Sequence, residues 1–253
     1  MTDALVAALN RMGFQPIFMP YTGVRPPELY NFAKRATGTK LVRRGPLGDY
    51  FPSPPDFKPT RSYMPDITHV RTTGKNLGAS ADFLARCLAV LGISSLPTID
   101  LGFVGSSNLV FSLQGVHTLR VDPSVIDRAI EDLDPKAVPP EYVDQGFLHV
   151  AYEYAFAQSI SMRREDRHEF ASDITGDLGG LIDIGTNVDV SAEDRFSLLF
   201  KSKSASSAPA FAFKAGRLRR GAQWRFYPEE VRRGEDEVRP FVLRRGVVLD
   251  VDK

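Results

Sequence analysis

The segment from residue 147 to residue 162 constrains the fold of this chain more than any other stretch. Large side chains fall at every second position within it: Leu148, Val150, Tyr152, Tyr154 and Phe156. Side chains that repeat with a period of two lie on one face of a β-strand. The pattern predicts one long strand over residues 147–162, with a large, aromatic face that another layer of the protein covers.

The rest of the chain mixes helical and strand patterns without a regular alternation. Apolar spacing and capping residues predict helices at residues 3–12, 28–34, 79–91 and 124–133, the second because Pro26-Pro27 resembles a helix start. Period-two or β-branched runs predict strands at residues 14–20, 98–104, 109–113, 118–121, 181–190, 195–201 and 210–218. Residues 36–62 are dense in Gly and Pro and are predicted to be an irregular loop. The class is therefore α+β with a mostly antiparallel sheet.

The composition excludes several classes of protein. A net charge of +1 argues against a general nucleic-acid binder. One cysteine cannot form an internal disulfide framework and fits a reducing cytoplasm. The first residues lack the basic start and apolar core of a secretory signal, and no apolar run reaches the ~18 residues of a membrane-spanning helix. We expect a chain made as a soluble cytoplasmic protein.

No residue pattern points to catalysis, a metal or a cofactor. His168-Glu169 begins like a zinc-protease motif, but Ser172 stands where the second ligand is needed. Cys87 lies on the apolar stripe of the helix predicted at 79–91, where packing explains it better than nucleophilic chemistry. The sequence therefore predicts no catalytic residue and no metal ligand.

Residues 201–228 form a basic stretch that contains no Asp or Glu. The candidate ligands for anionic lipid headgroups in this stretch are Lys201, Lys203, Lys214, Arg217, Arg219 and Arg220. An ordinary solvated face is an alternative for the same residues. A second functional alternative is a soluble α+β binding or scaffold module whose basic face meets an acidic partner, with no pore activity.

The last segment changes character twice. Residues 229–239 are almost wholly charged and contain Arg232 and Arg233, and apolar runs follow Pro240. The apolar residues are Phe241, Val242, Leu243, Val247, Val248 and Leu249. One interpretation is a terminal β-hairpin. The other is an exposed linker, open to proteolysis, followed by a short tail that docks on the body through these side chains.

Three groups of residues carry a resemblance to a known family. The first is LNRMGF at residues 9–14 with Pro20 and VRPPEL at 24–29, the second is FLHVAYE at 147–153, and the third is PAFAFKA at 209–215. Together they resemble the gasdermins, in particular the compact bacterial members, whose strands include a Phe-x-Phe-Lys-Ala motif. The resemblance covers most of the chain.

The resemblance implies a twisted antiparallel sheet flanked by helices and autoinhibition by a short C-terminal peptide. It divides the chain into a pore-forming domain at 1–228, a cleavable linker at 229–237 and an inhibitory peptide at 238–253. A caspase-like or trypsin-like protease would activate it, and homo-oligomers would then form large pores in the inner membrane as an antiviral (anti-phage) defence that kills the cell. Bacterial gasdermins often carry an acylated Cys near the N-terminus, whereas this chain begins Met1-Thr2-Asp3-Ala4.

Overall fold

A computed structural model of the chain gives the fold. It describes residues 9, 11–35, 38–72, 109–134, 137–138, 148–164, 188–194, 197–231, 238–240 and 248–250. The strands of the first half are β1 (Gln15–Tyr21), β2 (Glu28–Arg35), β3 (Gly38–Pro46), β4 (Thr60–Tyr63), β5 (Ile67–Thr72), β6 (Leu109–Gln114) and β7 (His117–Arg120). The later strands are β8 (Leu148–Phe156), β9 (Ser159–Arg164), β10 (Val188–Asp194), β11 (Ser197–Ser202), β12 (Ala210–Arg220), β13 (Trp224–Tyr227), β14 (Glu229–Val231), β15 (Val238–Pro240) and β16 (Val248–Asp250). Among the elements that lie wholly within the described residues, the helical ones are α1 (Pro123–Ala129) and two 3₁₀ turns (Leu47–Tyr50 and Ile130–Asp132).

The strands form two main sheets and one hairpin. The large sheet has nine strands in the order β1-β12-β8-β2-β3-β16, with β13 beside β12, and with β7 joining β4 to β8. The second sheet has five strands in the order β10-β11-β9-β6-β5, and β14 pairs with β15. All pairings between described strands are antiparallel except that of β16 with β3. The predicted class, α+β with a mostly antiparallel sheet, is confirmed.

Helix α1 covers one face of the large sheet. It begins after Asp122, whose carboxylate accepts a hydrogen bond from the Ser124 backbone N–H at 2.8 Å. Hydrogen bonding to the Ser124 side chain, and then to its backbone, lowers the pKa of Asp122. The core beneath the helix and the following turn includes Ile126, Ile130, Leu133, Leu148, Val150, Tyr152, Leu218, Trp224 and Phe226. Burying each large apolar side chain contributes about 1.5–3 kcal/mol, so this layer holds the helix on the sheet.

A second core lies on the opposite face of the large sheet. Its buried side chains include Ile17, Tyr30, Tyr154, Phe156 and Phe213. The rings of Tyr30 and Phe213 stack with their centroids 6.5 Å apart. Strand β8 contributes side chains to both cores, and every one of its nine residues is buried. β8 is therefore the central strand of the body.

Two predictions for residues 28–62 are wrong. Residues 28–34 form a strand, β2, because they pair with β3 on one side and with β8 on the other, and this pairing overrides the helix-start signal of the two prolines. Most of the predicted loop before residue 47 is β3, in which Gly45 has φ of 116° beside a register shift. Gly45 therefore marks an irregularity inside a strand and does not indicate a loop.

The predicted strand at 147–162 is two strands in two sheets. β8 ends at Phe156, and β9 begins at Ser159 in the five-stranded sheet. The prediction of a single large face is also wrong for β8. The pairing with β12 skips Tyr152, so Tyr152 packs under α1 whereas Tyr154 and Phe156 belong to the opposite core. An extra residue in one strand reverses the alternation that follows it.

Of the other predicted helices and strands, some are found in the structure and some lie outside the described residues. The structure contains six of these elements with shifted ends: the helix at 124–133 and the strands at 14–20, 109–113, 118–121, 195–201 and 210–218. The strand predicted at 181–190 coincides only with the start of β10, and residues 181–187 lie outside the described residues. The predicted elements at 79–91 and 98–104, and most of that at 3–12, lie outside them as well. In the part of the chain that is described, no helix is long and apolar enough to cross a membrane.

His117, at the start of β7, is a buried titratable group. Its ring stacks on Phe156 with the centroids 5.3 Å apart, and its Nδ1 lies 3.3 Å from the carbonyl oxygen of Gly115. Burial lowers the pKa of His117, the positive charge of Arg61 lowers it further, and the hydrogen bond to Gly115 opposes both. The folded protein therefore favours neutral His117.

We expect acidification to lower the free energy of unfolding through His117. Because its folded pKa lies below the unfolded value of about 6.5, the unfolded chain binds this proton first. The contribution is complete above about pH 6.5 and is lost progressively below it. Urea unfolding at about pH 7 and pH 5 checks this: His117→Phe should lose less stability between the two than the parent. An equal loss would contradict it.

Candidate functional site

The C-terminal strand lies at an end of the large sheet. β16 runs parallel to β3, with Val248 opposite Lys40, Leu249 opposite Leu41 and Asp250 opposite Val42. The Cα atoms of β16 also come within 8 Å of those of β1, the strand at the other end of the sheet order. The tail thus adds a strand to the edge of the body and lies near both ends of the sheet.

The two interpretations of the tail each match part of this arrangement. A hairpin exists, but it is formed by β14 and β15, upstream of the apolar runs. Val248 and Leu249 belong to β16, which joins the body instead. The other tail residues proposed for docking or cleavage lie outside the described residues: Arg232, Arg233, Phe241, Val242, Leu243 and Val247.

A buried polar cluster holds β3, the strand that carries β16, to the centre of the sheet. The carboxylate of Glu28 accepts hydrogen bonds from the hydroxyls of Tyr30 at 3.0 Å and Tyr154 at 2.7 Å. It also accepts two bonds from the Arg43 guanidinium, at 3.0 Å from Nε and 2.5 Å from the terminal nitrogen. Glu28 is 1% exposed. The cluster ties β2, β3 and β8 together, and a bidentate pair of this kind is strong and directional.

The predicted headgroup residues do not form one patch. Lys201 and Lys203 flank Ser202, which bonds Gln158, and the adjacent Ala157 bonds Pro209 just before β12 begins. Arg219 and Arg220 lie at the other end of β12. At about 3.3 Å per residue, the eleven residues of β12 separate the two groups by about 30 Å. The basic stretch therefore presents two separate exposed groups.

Interactions also distinguish the basic side chains from one another. Lys214 lies within the sheet, with its Nζ 3.2 Å from a Glu153 carboxylate oxygen and 4.2 Å from the centre of the Phe14 ring. Arg217 is half-buried. Lys203 lies 3.9 Å from Asp189. Lys214 thus takes part in the packing of the body.

Arg219 and Arg220 are exposed at the tip formed by β12 and β13. Their guanidinium carbons lie 5.6 Å and 5.9 Å from the ring centres of Tyr227 and Trp224. Nearby Arg225 instead bonds the acidic side chains of the helix layer, 2.9 Å from Glu131 and 3.7 Å from Asp127. Arg219 and Arg220 are therefore exposed cations that lie against aromatic rings.

Comparison with known proteins identifies the family. The model of the Bacterial Gasdermin Family matches residues 17–235. The chain belongs to the bacterial gasdermins. It is also 34% identical over 260 residues to Gasdermin bGSDM of Piscinibacter sakaiensis, an alignment that covers 99% of this chain and 95% of that protein. The predicted resemblance is confirmed.

The fold agrees with this family. The chain is similar to the structure of a bacterial gasdermin from Bradyrhizobium tropiciagri, with a TM-score of 0.55 and 14% identity, over 89% of this chain and 91% of that one. Gasdermins are pore-forming proteins rather than enzymes, and family membership supports a pore-forming role here. The expectation that this chain is not an enzyme is confirmed on that basis.

Sequence reasoning missed two features of this gasdermin. The Glu28 cluster joins residues up to 126 positions apart, and no local pattern signals such pairing. The break at residues 157–158, between β8 and β9, was also missed. A small residue followed by a polar one at the end of the aromatic alternation, Ala157-Gln158, was the available signal for it.

Proposed function

We propose that this bacterial gasdermin is held inactive by its C-terminal peptide and forms large β-barrel pores after a protease removes that peptide. The released body oligomerises in the inner membrane and kills the cell as a defence against phage. Before cleavage the protein is cytoplasmic. Its partners are a caspase-like or trypsin-like protease, membrane lipids and further copies of itself. The single observation that carries the proposal is the parallel addition of β16 to β3 in a chain of this family.

Strand addition explains how a short peptide acts as an inhibitor. Backbone hydrogen bonds with β3 supply affinity, and the tether keeps the peptide at high effective concentration near its site. Cleavage removes the tether without removing a contact, so the peptide can diffuse away. The proposed anchors are Phe241, Val242, Leu243, Val247, Val248 and Leu249. In this proposal residues 1–228 are the pore-forming domain and 238–253 the inhibitory peptide.

The proposed cut falls in the linker at residues 229–237. This linker includes β14 and the connection from β14 to β15, and Arg232 and Arg233 are the candidate residues before the cut for a protease that selects basic side chains. After such a cut, three backbone pairs between β14 and β15 and three between β16 and β3 still hold the peptide. So few pairs hold a free peptide weakly once the entropy of ordering it is counted.

Dye release tests the proposal directly. A site for a sequence-specific protease placed in residues 232–237 should make release from liposomes depend on that protease. The uncut protein and a cut protein supplied with excess free peptide 238–253 are the controls, and both should release little dye. Cut protein that leaves liposomes intact would contradict the proposal.

For the pore itself we propose that the regions 60–104 and 147–190 each extend into a membrane-spanning hairpin. The five-stranded sheet supports this, because β5, β9 and the start of β10 fall within these regions and lie outside the central body. We propose that the alternating large side chains Leu148, Val150, Tyr152, Tyr154 and Phe156 face lipid in the barrel wall. This assignment requires these residues to leave positions that are buried in the fold described above.

We further expect Arg219 and Arg220 to bind anionic headgroups. Each basic residue near a charged surface contributes about 1 kcal/mol, so replacing both by Gln should weaken binding to anionic vesicles by about 2 kcal/mol, or roughly 30-fold. Vesicle co-sedimentation at low salt measures this. The matched control is Lys58→Gln with Arg61→Gln, since Arg61 is exposed and lies over the ring of Tyr63. Equal losses from the two pairs, or no dependence on salt, would contradict the expectation.

A further inference from the structure

The two main sheets are halves of one bent sheet. β6 leads into β7 through Gly115 and Val116, and it runs beside the chain that passes from β8 into β9. The last pair in the five-stranded sheet is Gln114 opposite Ser159, and the first in the large sheet is His117 opposite Phe156. Two residues on each chain separate these pairs. The register is therefore unchanged from one sheet to the other.

The flanking strands cross between the sheets at the same level. Tyr63 pairs with His117 and Ile67 pairs with Leu113, so β4 continues into β5 in register as well. On the other side, residues 203–209 join β11 to β12 by a longer path. We call residues 64–66, 115–116, 157–158 and 203–209 the bend.

Backbone hydrogen bonds cross the bend from chain to chain. The backbone N–H of Gln158 donates to the carbonyl oxygen of Gln114 at 3.0 Å. The backbone N–H of Ser202 donates to the carbonyl oxygen of Gln158 at 2.9 Å. Between β4 and β5, the backbone N–H of Met64 donates to the carbonyl oxygen of Val116 at 3.0 Å. These bonds run across the strands, so a rotation about an axis parallel to them changes the angle between the sheets without breaking them.

Among the described strands, extensive contacts form within each sheet rather than between the two. The large sheet is packed on both faces by its own cores. The bend therefore carries the connection between the described parts of the two sheets. A packed body joined to a second unit through a few torsions is the arrangement of a hinge.

Gly115 is the glycine of the bend, and its surroundings leave no room for a side chain. It has φ of +60°, and a Cβ placed there would lie 2.8 Å from the Cβ of Gln158 and 2.9 Å from its Oε1. A side chain at residue 115 would be strained by its backbone torsion and would push against the root of the opposite side chain. The contact between Gly115 and Gln158 thus sets how closely the two chains approach at the bend.

We propose that Gly115 and Gln158 position the five-stranded sheet relative to the large sheet, and that activation changes the angle of the bend while β6 and β9 keep their partners. The second part rests on the proposed function, because the regions proposed to span the membrane include β5 and β9 of the five-stranded sheet. The first part concerns the intact protein and stands without it. If activation rotates the five-stranded sheet at the bend, the six residue pairs between β6 and β9 need not break and re-form.

The first test uses the intact chain and spin labels on either side of the bend. Cysteines replace Thr60 in the large sheet and Arg163 in the five-stranded sheet, both exposed, in a Cys87→Ala background. Gly115→Ala should shift the distance distribution between the labels, and adding Gln158→Gly should restore most of it. The matched control is Gly23→Ala, since Gly23 has φ of +76° with nothing near its missing Cβ. An unchanged distance in Gly115→Ala, or an equal shift in Gly23→Ala, would overturn the positioning role.

The second test uses the chain cut in its linker, on vesicles of anionic phospholipid. A disulfide between Ser112→Cys and Ser161→Cys, opposite residues of β6 and β9, locks their register without crossing the bend. The oxidised and reduced forms should release dye equally, and the Thr60–Arg163 label distance should shift on insertion. Labels at Thr60 and Ala222, both in the body, should not shift.

Release by the reduced form alone, or an unchanged Thr60–Arg163 distance, would overturn rotation with retained register. Absence of release from both forms and from the cut parent would contradict the proposed function instead, and the intact-chain distances would still decide the role of Gly115.

Discussion

A chain truncated after Arg233 is expected to permeabilise liposomes and to be toxic when produced in bacteria. The truncation removes β15 and β16, so β3 loses its parallel partner and no tethered peptide can compete for that edge. The expected change is from almost no dye release to release in proportion to protein, which is the largest effect predicted for this protein. Dye release and native mass measurement of the membrane-extracted product check it.

Point substitutions in the intact chain should reproduce part of this effect. Leu249→Pro removes a backbone donor within β16, and Phe241→Asp or Leu243→Asp places a charge at a proposed anchor. The matched control for the proline is Lys253→Pro, which lies beyond β16. A truncated protein that stays monomeric and leaves liposomes intact would show that the tail is a structural strand and not an inhibitor.

Glu28→Gln is expected to lower the free energy of unfolding by about 3 kcal/mol, because several hydrogen bonds to a charged group, each contributing about 1.5–3 kcal/mol, are weakened or lost. Glutamine preserves the shape of the side chain but removes the charge that balances the Arg43 guanidinium. It also replaces one acceptor oxygen by a donor in a site where two tyrosine hydroxyls and the guanidinium meet. A loss of this size is a large fraction of the stability of an ordinary domain.

Urea unfolding followed by tryptophan fluorescence measures this loss, since Trp224 lies in the body. The matched control is Arg225→Ala, which removes exposed ion pairs to Asp127 and Glu131 and should cost about 1 kcal/mol or less. If Glu28→Gln costs no more than Arg225→Ala, the cluster does not hold β3 to the centre of the sheet.

Several elements could be predicted because their signals are local. The run of strand-forming residues in β12 and the apolar stripe of the helix at 124–133 are both patterns within a single short segment. The motifs at 9–14, 24–29, 147–153 and 209–215 were enough to predict the family, which the comparisons confirm. The basic stretch was visible too, but its division into two groups follows from the length of β12 and could not be read from charge alone.

The failures share one physical cause. Residues 28–34 became a strand because β3 and β8 offer hydrogen-bond partners on both sides, and partners far along the chain leave no local pattern. Gly45 was taken as a loop signal although it marks an irregularity inside a paired strand. The break at residues 157–158 lies where the chain passes from one sheet to the other, and only Ala157-Gln158, at the end of the aromatic alternation, marks it locally.

The sequence by itself determined the β-rich class, the period-two strands, the apolar residues available for the core and the family. Only the tertiary structure decided which core each side chain joins: an extra residue at Tyr152 sends Tyr154 and Phe156 to the face opposite Tyr152. It also decided that β16 lies beside β3 and that Glu28 meets Tyr154. Local sequence sets the torsions and polarity of a segment, whereas register and partners depend on the free energy of pairings between distant segments.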